Sequence, residues 1–349
     1  MNLKEFYKSK VIYITGACGT VGSEILRQLT SDINYLPSKI IAIDNNESSM
    51  FYLDQKYKEF EYVQTLLSDI RDKEDQKKLM RNVDIVLHAA ALKHVHLCEY
   101  SPTQAIATNI NGLQNIISAS ISNNVENVIF TSSDKAVNPT NVMGTTKLTG
   151  ERLISAANNY ACDSQTIFSS TRFGNILGSN GSVVPTFIKQ ISRGGPITLT
   201  NSKMTRFVMN VKESVEMVLE AGQISRGGEV FVTKMQSILI KDLAEVLIDI
   251  YADRFGFHKE DIIIKEIGSR PGEKDFEELL NIEEIRRTIE LNNYFCILPV
   301  FSKKDELQTK YKNIVNYNIS KEYSSAKTKL CSKKEIKEIL LKLEMDDKF

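Results

Sequence analysis

The chain has 349 residues, and its 44 Lys+Arg balance 44 Asp+Glu to a formal net charge of zero. That length suits one large domain or two small ones, and the neutral balance argues against a nucleic-acid or anionic membrane-surface partner held by bulk charge. No apolar run is long enough to span a bilayer, the N-terminus shows no signal-peptide layout, and the scattered Cys18, Cys98, Cys162, Cys296 and Cys331 form no CxxC pair, so a reducing cytoplasm is the expected location.

Short β-branched runs alternate with helical patterns through the first half. Lys10–Gly16, Lys39–Asp44, Asn82–Ala90, Asn127–Thr131 and Thr166–Ser170 read as buried parallel strands. VGSEILRQLT and TNINGLQNIISASISNN, between them, read as helices. Repeated β-α-β units predict an α/β fold, a Rossmann-type doubly wound sheet with helices on both faces. From about residue 176 the spacing becomes irregular, with breaks at Gly194-Gly195-Pro196, Gly227-Gly228 and Pro271-Gly272. A smaller mixed α/β lobe is expected there, containing the helix KDLAEVLIDIYADRF and ending in a packed amphipathic helix, KKEIKEILLKLEM. With only four His, two of them His94 and His96, a metal site has little support.

TGACGTVG, Thr15 to Gly22, follows the first strand and opens the first helix. Its glycines allow a tight turn (Gly16), backbone approach to a pyrophosphate (Gly19) and close helix–strand packing (Gly22). Thr15, Cys18, Thr20 and Val21 complete the loop, where the helix N-terminus offers N–H groups and a positive dipole end to phosphates. Asp44, with Asn45 beside it, ends the second strand and is placed to accept from a ribose. No Lys or Arg follows closely to take a 2′-phosphate, which favours NAD over NADP. Asp69 and Ile70, after the third strand, suit an adenine edge, and the small Ala89, Ala90 and Ala91 leave room for the dinucleotide backbone. Asn109 reads as a supporting amide or as a surface one. The first domain is thus expected to be an NAD-binding unit over 1–176, with a returning segment around 204–225. A substrate-binding lobe and tail over 177–349 completes the chain.

The fifth strand ends at Ser132-Ser133-Asp134-Lys135, where ligands of open α/β sheets bind. Met143 and Lys147 then fall four apart on one helical face. This arrangement resembles an extended short-chain dehydrogenase/reductase, in which Tyr and Lys take those two positions. It is similar, more narrowly, to the nucleotide-sugar 4,6-dehydratases of polysaccharide and glycan synthesis. The matching pieces are TGACGTVGSE, HAAALKHVHLCEYSP, SSDKAVNPTNVMGTTKLTGER, TRFGNILGSNGSVVPTFIKQI, MTRFVM, GGEVFVTKM and GSRPGEKDFEELL. They run from the first strand to about residue 280.

The resemblance implies an NAD-dependent lyase acting on UDP- or GDP-linked N-acetylglucosamine, the latter as in the making of legionaminic-type sugars. Hydride leaves carbon 4, water leaves across carbons 5 and 6, and hydride returns at carbon 6. Asp134 would protonate the departing hydroxyl, and Lys135 would take the carbon 5 proton. In water the opposite charge state, carboxylate plus ammonium, is favoured by about 9 kcal/mol. The expectation is therefore that burial and nearby positive charge depress Lys135 and favour the neutral pair. Lys147 would bind the nicotinamide ribose. Met143 departs from the Tyr pattern, and a thioether accepts no proton, so Ser133 becomes the relay for the carbon 4 hydroxyl. The Met-bearing stretch NPTNVMG resembles relatives that retain configuration at carbon 5. Lys93, Asn175, Arg206 and Arg270 match positions at the sugar and diphosphate, and Glu273 would organise the Arg270 loop.

Three alternatives stay open: a dehydratase inverting carbon 5, a nucleotide-sugar epimerase, and a non-catalytic NAD-binding protein. The resemblance also implies a homodimer or higher homo-oligomer built on the helices starting near Ser101 and Met143.

Overall fold

In the computed structural model the described residues are 3–32, 35–160, 164–179, 181–268, 272–300, 311 and 314–343. The strands β1 (Val11–Thr15), β2 (Lys39–Asp44), β3 (Val63–Leu67), β4 (Ile85–His88), β5 (Asn127–Ser133) and β6 (Ile167–Phe173) are parallel and lie in the order β3-β2-β1-β4-β5-β6. This is the doubly wound order, and it reverses between β1 and β4, which opens a crevice at their carboxyl ends.

The chain continues through β7 (Asn175–Ile176), β8 (Ile197–Leu199), β9 (Thr205–Met209), β10 (Val230–Thr233), β11 (Gln236–Leu239), β12 (Ile264–Glu266), β13 (Glu278–Leu280), β14 (Thr288–Leu291), β15 (Tyr294–Ile297), β16 (Ile314–Asn316) and β17 (Tyr323–Ser324). Of these, β10 joins β6 in parallel, and β15, β14 and β16 extend the same sheet antiparallel. A side sheet of β11, β9 and β7 and the two-stranded pairs β12/β8 and β13/β17 form the second lobe.

The helices are α1 (Leu3–Tyr7), α2 (Thr20–Ser31), α3 (Glu47–Tyr57), α4 (Lys73–Leu79), α5 (Val95–Tyr100), α6 (Pro102–Ile106), α7 (Leu113–Ser122), α8 (Val142–Tyr160), α9 (Val183–Ile191), α10 (Val211–Ile224), α11 (Ile240–Tyr251), α12 (Ile282–Ile285) and α13 (Lys333–Leu341). A π-helical turn, Ala107–Gly112, precedes α7. Helix α10 lies in the expected returning segment and packs on α2, β5 and β6. The tail helix α13 carries a Ser332/Glu335 capping box, and it buries Ile336 and Leu340 with Leu243 and Leu247 of α11.

Strands β5 and β6 run further than their apolar runs predict. Residues beyond those runs continue the ladder, pairing Thr131 with Thr171, Ser132 with Arg172 and Ser133 with Phe173. A strand can carry a fully buried Arg172 because two carboxylates meet its guanidinium, Glu151 at 2.6 Å and Glu284 at 2.8 Å.

Two glycines set the crevice. Gly16 has φ +67°, and a Cβ there would lie 2.7 Å from the Ala90 nitrogen. A Cβ on Gly22 would lie 2.2 Å from the Gly16 carbonyl oxygen, a collision with backbone that cannot swing aside. Gly22→Ala is therefore expected to lower stability by about 1–3 kcal/mol, read as a fall in the urea unfolding midpoint. An unchanged midpoint would refute this packing.

Candidate functional site

The crevice at the ends of β1 and β4 is built on the turn that follows β1. Thr15 ends β1, and its hydroxyl accepts from the Ala90 amide at 3.2 Å and meets His88 Nδ1 at 2.7 Å. Cys18, Gly19, Thr20, Val21 and Gly22 carry the chain into α2. Asp44 Oδ2 accepts from the Cys18 amide at 3.1 Å and Oδ1 from the Asn46 amide at 3.0 Å, so the carboxylate braces the glycine loop. Burial, helped by Asp44, pushes the Cys18 thiol up to about 12, so Cys18 stays protonated.

Asn45 donates to Asp69 at 3.3 Å. Arg71 grips Asp69 at 2.6 Å, and its hydrogen bonds hold that carboxyl down at about 2. Ile70 is buried against Gly112, where a Cβ would meet it at 2.7 Å, so its side chain belongs to the core. Ala89, Ala90 and Ala91 leave β4 half-buried, with the Ala89 amide on the Thr15 carbonyl. Asn109, in the π-helical turn, is buried and fully engaged: it accepts from the Leu92 amide and donates to the Leu92 carbonyl and to Thr146. It braces the segment after β4 against α8, a supporting role, and π-turns recur at such places.

At the end of β5 the reactive stretch becomes a group of charges. Asp134 is 0% exposed; its Oδ1 accepts from Ser133 Oγ at 2.6 Å and from Lys135 Nζ at 3.0 Å. Lys135 also donates to Asn175 Oδ1 at 3.4 Å and lies 3.7 Å from Glu277 Oε1. Glu277 is a buried acid to which the sequence reading gave no role, although it sits inside the quoted stretch GSRPGEKDFEELL. Short-strand alternation could have placed it opposite its neighbour Glu278, which turns out to meet Asn138 instead. Asp134 Oδ2 and Glu277 Oε2 are buried without a partner among the described residues.

This geometry corrects the expected charge state of Lys135. Burial favours the neutral amine, but the carboxylates of Asp134 and Glu277 outweigh it and hold Lys135 above the ordinary lysine range. Burial raises the Glu277 carboxyl against the opposing pull of Lys135. The protein alone therefore holds an ammonium between two acids, not a neutral acid–amine pair.

Arg206 lies on β9 beneath this group. Its Nη1 donates to the Thr205 and Asp275 carbonyls and its Nη2 to the Lys274 carbonyl, with Glu277 Oε1 3.8 Å from Nε. It clamps the segment that carries Glu277. Glu273 lies 3.9 Å from Arg206 and accepts from Thr200. From the first lobe, Thr140 and Asn141 donate to the Gly272 carbonyl, and Lys274 returns a bond to the Val137 carbonyl at 2.9 Å. Thr140, Asn141, Glu273 and Lys274 line a cleft of about 1250 Å³ that continues to His94, His96 and Tyr100 and includes Lys135, Asn175, Arg206 and Glu277. Lys93 is exposed and is not in that lining. Arg270 lies outside the described residues.

Lys147 and Met143 part company. Lys147 is buried, donates to the Thr131 carbonyl at 2.9 Å and sits 4.7 Å over the Phe130 ring. Burial lowers it to about 8, against the pull of Glu151. Met143 instead packs with Cys98 and Ala105 in an apolar cluster between α5, α6 and α8, and is not among the residues lining the cleft. Among the described residues no His/Cys/Asp/Glu group could hold a metal ion, and no helix is long and apolar enough to cross a membrane.

Residues 12–299 match the family model described as "Polysaccharide biosynthesis protein". The chain is 44% identical to an uncharacterized membrane protein of Methanocaldococcus jannaschii, covering 97% of both. It is 40% identical to UDP-N-acetylglucosamine 4,6-dehydratase (inverting) of Campylobacter jejuni, covering 84% of both. UDP-glucose 4-epimerase of Rickettsia typhi is 36% identical, with 97% of both covered. Among solved structures, Pen from Bacillus thuringiensis superposes with a TM-score of 0.89 at 37% identity, over 97% of this chain and 99% of that one. With a family match across most of its length and relatives of this identity along nearly all of it, the chain belongs to the polysaccharide biosynthesis protein family.

Proposed function

We propose that the protein is an NAD-dependent 4,6-dehydratase that converts a UDP- or GDP-linked N-acetylglucosamine to its 4-keto-6-deoxy form. The observation that carries this reading is the Asp134–Lys135–Glu277 group, with Lys135 and Glu277 lining a cleft at the strand ends and Asp134 buried behind them, beside a glycine cradle that a Cβ would fill. Two acids and an amine are what elimination of water requires, whereas exchange at carbon 4 alone needs no acid at carbon 6.

The cradle fits a dinucleotide. Thr15, Gly16, Cys18, Gly19, Thr20, Val21 and Gly22 would hold its pyrophosphate, Asp44 and Asn45 its adenosine ribose, Asp69 and the Ile70 backbone its adenine edge. Ala89, Ala90 and Ala91 would line its path, and Lys147 would meet the nicotinamide ribose. Bound there, it supplies temporary storage for the hydride that leaves carbon 4 and returns at carbon 6.

The chain's own residues move the protons. Ser133 donates to Asp134, so the carbon 4 hydroxyl proton reaches Asp134 through Ser133. Asp134 then gives that proton to the carbon 6 hydroxyl, which departs as water. Lys135 passes a proton to Glu277, whose burial favours the acid form, and the freed amine takes the carbon 5 proton. Lys135 returns a proton to carbon 5 on the same face, which gives retention, and recovers its own from Glu277. The sugar loses one water and no outside oxidant is used. Met143 has no proton to carry; it packs with Cys98 and Ala105 behind the site. Asn175, Arg206 and Arg270 are the groups we assign to the diphosphate, since cations and amides suit phosphate oxygens, and Lys93, outside the cleft lining, to the approach of the sugar.

The likeness to epimerases supports a second reading, in which the ketone forms and is reduced without loss of water. Mass spectrometry after incubation with UDP- or GDP-N-acetylglucosamine separates the two. Loss of one water with an equatorial carbon 5 substituent by proton NMR is expected; an isomer of unchanged mass would overturn the dehydratase reading. Asp134→Asn and Lys135→Ala should cut turnover by roughly 10²- to 10⁴-fold with dinucleotide still bound. Ser133→Ala should slow the hydride-removal step, and full activity would remove its relay. Glu277→Gln should lower the pKa of Lys135, read from its ¹³Cε shift, because one of the two charges raising it is gone.

A further inference from the structure

On α8, Lys147 and Glu151 stand one helical turn apart, both buried, at 6% and 3% exposure. An isolated pair at this spacing ordinarily meets as an ion pair, and burial strengthens the attraction because little water screens it. Here the carboxylate faces another way. Arg172, reaching from β6, takes Glu151 Oε1 with its Nε at 2.9 Å and Oε2 with its Nη2 at 2.6 Å. The other edge of the same guanidinium takes both oxygens of Glu284, at 2.9 and 2.8 Å, and Nη1 adds the Leu279 carbonyl at 2.8 Å. Every donor edge of the fork is engaged, which only a planar guanidinium can achieve.

Lys147 is thereby left to the strand ends. Its Nζ donates to the Thr131 carbonyl, one residue before the Ser132–Lys135 stretch, and lies over the Phe130 ring. The groups facing it from neighbouring elements offer no competing anion. His88, from β4, is held neutral by burial and by the charge of Lys147 itself, down at about 3. Asp134 and Lys135, from the turn packed on α8, pair with each other. Thr146 and Asn109, beside it, are neutral and joined to one another.

We infer that Arg172 is a positioning residue. By gripping both oxygens of Glu151 it denies Lys147 the carboxylate on its own helix and keeps the lysine amine turned toward the mouth of the crevice. The same guanidinium fixes the β13–α12 segment, which follows directly from Glu277, so one side chain sets the spacing between the lysine of one lobe and the acid of the other. This rests on the reading that Lys147 serves a bound dinucleotide, yet it is measurable without cofactor or substrate.

The test is a ¹³Cε-lysine NMR titration of the full chain, with the Lys147 resonance identified by its loss in Lys147→Arg. In the unaltered protein the midpoint should fall near 8. In Arg172→Gln/Glu284→Gln, which removes the fork without stranding Glu284, Glu151 should recapture Lys147 and raise the midpoint by roughly one unit or more. Adding Glu151→Gln should abolish that rise. Arg172→Lys keeps the charge but not the fork, and it should move the midpoint part of the way up, which preserves the test should the double variant not fold. A purely architectural Arg172 would change melting temperature in these variants and leave the Lys147 midpoint in place. A midpoint unmoved in both the double variant and Arg172→Lys, or a rise that survives Glu151→Gln, would overturn the inference. Failure of the dehydratase reading would appear separately, as no loss of water from the sugar nucleotide.

Discussion

Charges buried between the two lobes are what the active region depends on. Taking an ion out of water costs several kcal/mol unless a partner meets it. Glu277, contributed by the second half of the chain, is met by Lys135 and Arg206, and Glu284 by Arg172. Neither lobe can shift far without exposing one of these groups to an unpaired, poorly hydrated state. Hydrogen bonds at the rim, from Thr140, Asn141 and Lys274, hold the same two lobes from the solvent side. The cleft is therefore walled by polar contacts on both sides, an arrangement suited to chemistry that needs protons moved over short, fixed distances.

The sheet supplies the other half of the arrangement. Its strand order reverses between β1 and β4, and the crevice opens there. The glycine loop, the three alanines and the charged turn after β5 all reach the same edge because parallel strands end on the same side. The glycine loop and the charged turn are thus set next to each other by topology, and the residues in between are small or braced. Asn109 and Thr15 illustrate the bracing: each uses its polar atoms on backbone groups that shape the crevice.

A Met at the position where Tyr is usual looks, in one dimension, like a lost function. In three dimensions Met143 fills an apolar cluster with Cys98 and Ala105, while the buried acid of the next turn, Asp134, accepts a hydrogen bond from Ser133. The second acid, Glu277, is what changes the electrostatics of the pair. A lone acid–amine pair can relax to its neutral form under burial, but a lysine between two carboxylates stays charged until something displaces that balance. Positive charge brought by an oxidised nicotinamide is the physical agent that would do so.

Local pattern alone determined much. Alternating β-branched and helical runs declared the α/β sheet, and local pattern placed TGACGTVG at the turn after β1 and SSDK at the end of β5, because each depends on residues adjacent along the chain. The grip of Arg172 on Glu151 and Glu284, the approach of Glu277 to Lys135 and the turning of Arg206 onto the 274–275 carbonyls were decided only by tertiary structure. Each joins residues far apart along the chain, from 21 positions between Glu151 and Arg172 to 112 between Arg172 and Glu284 and 142 (277 − 135) between Lys135 and Glu277. A charge in a sequence shows its sign but not its counter-charge, and burial, which makes the counter-charge decisive, exists only once the chain has folded.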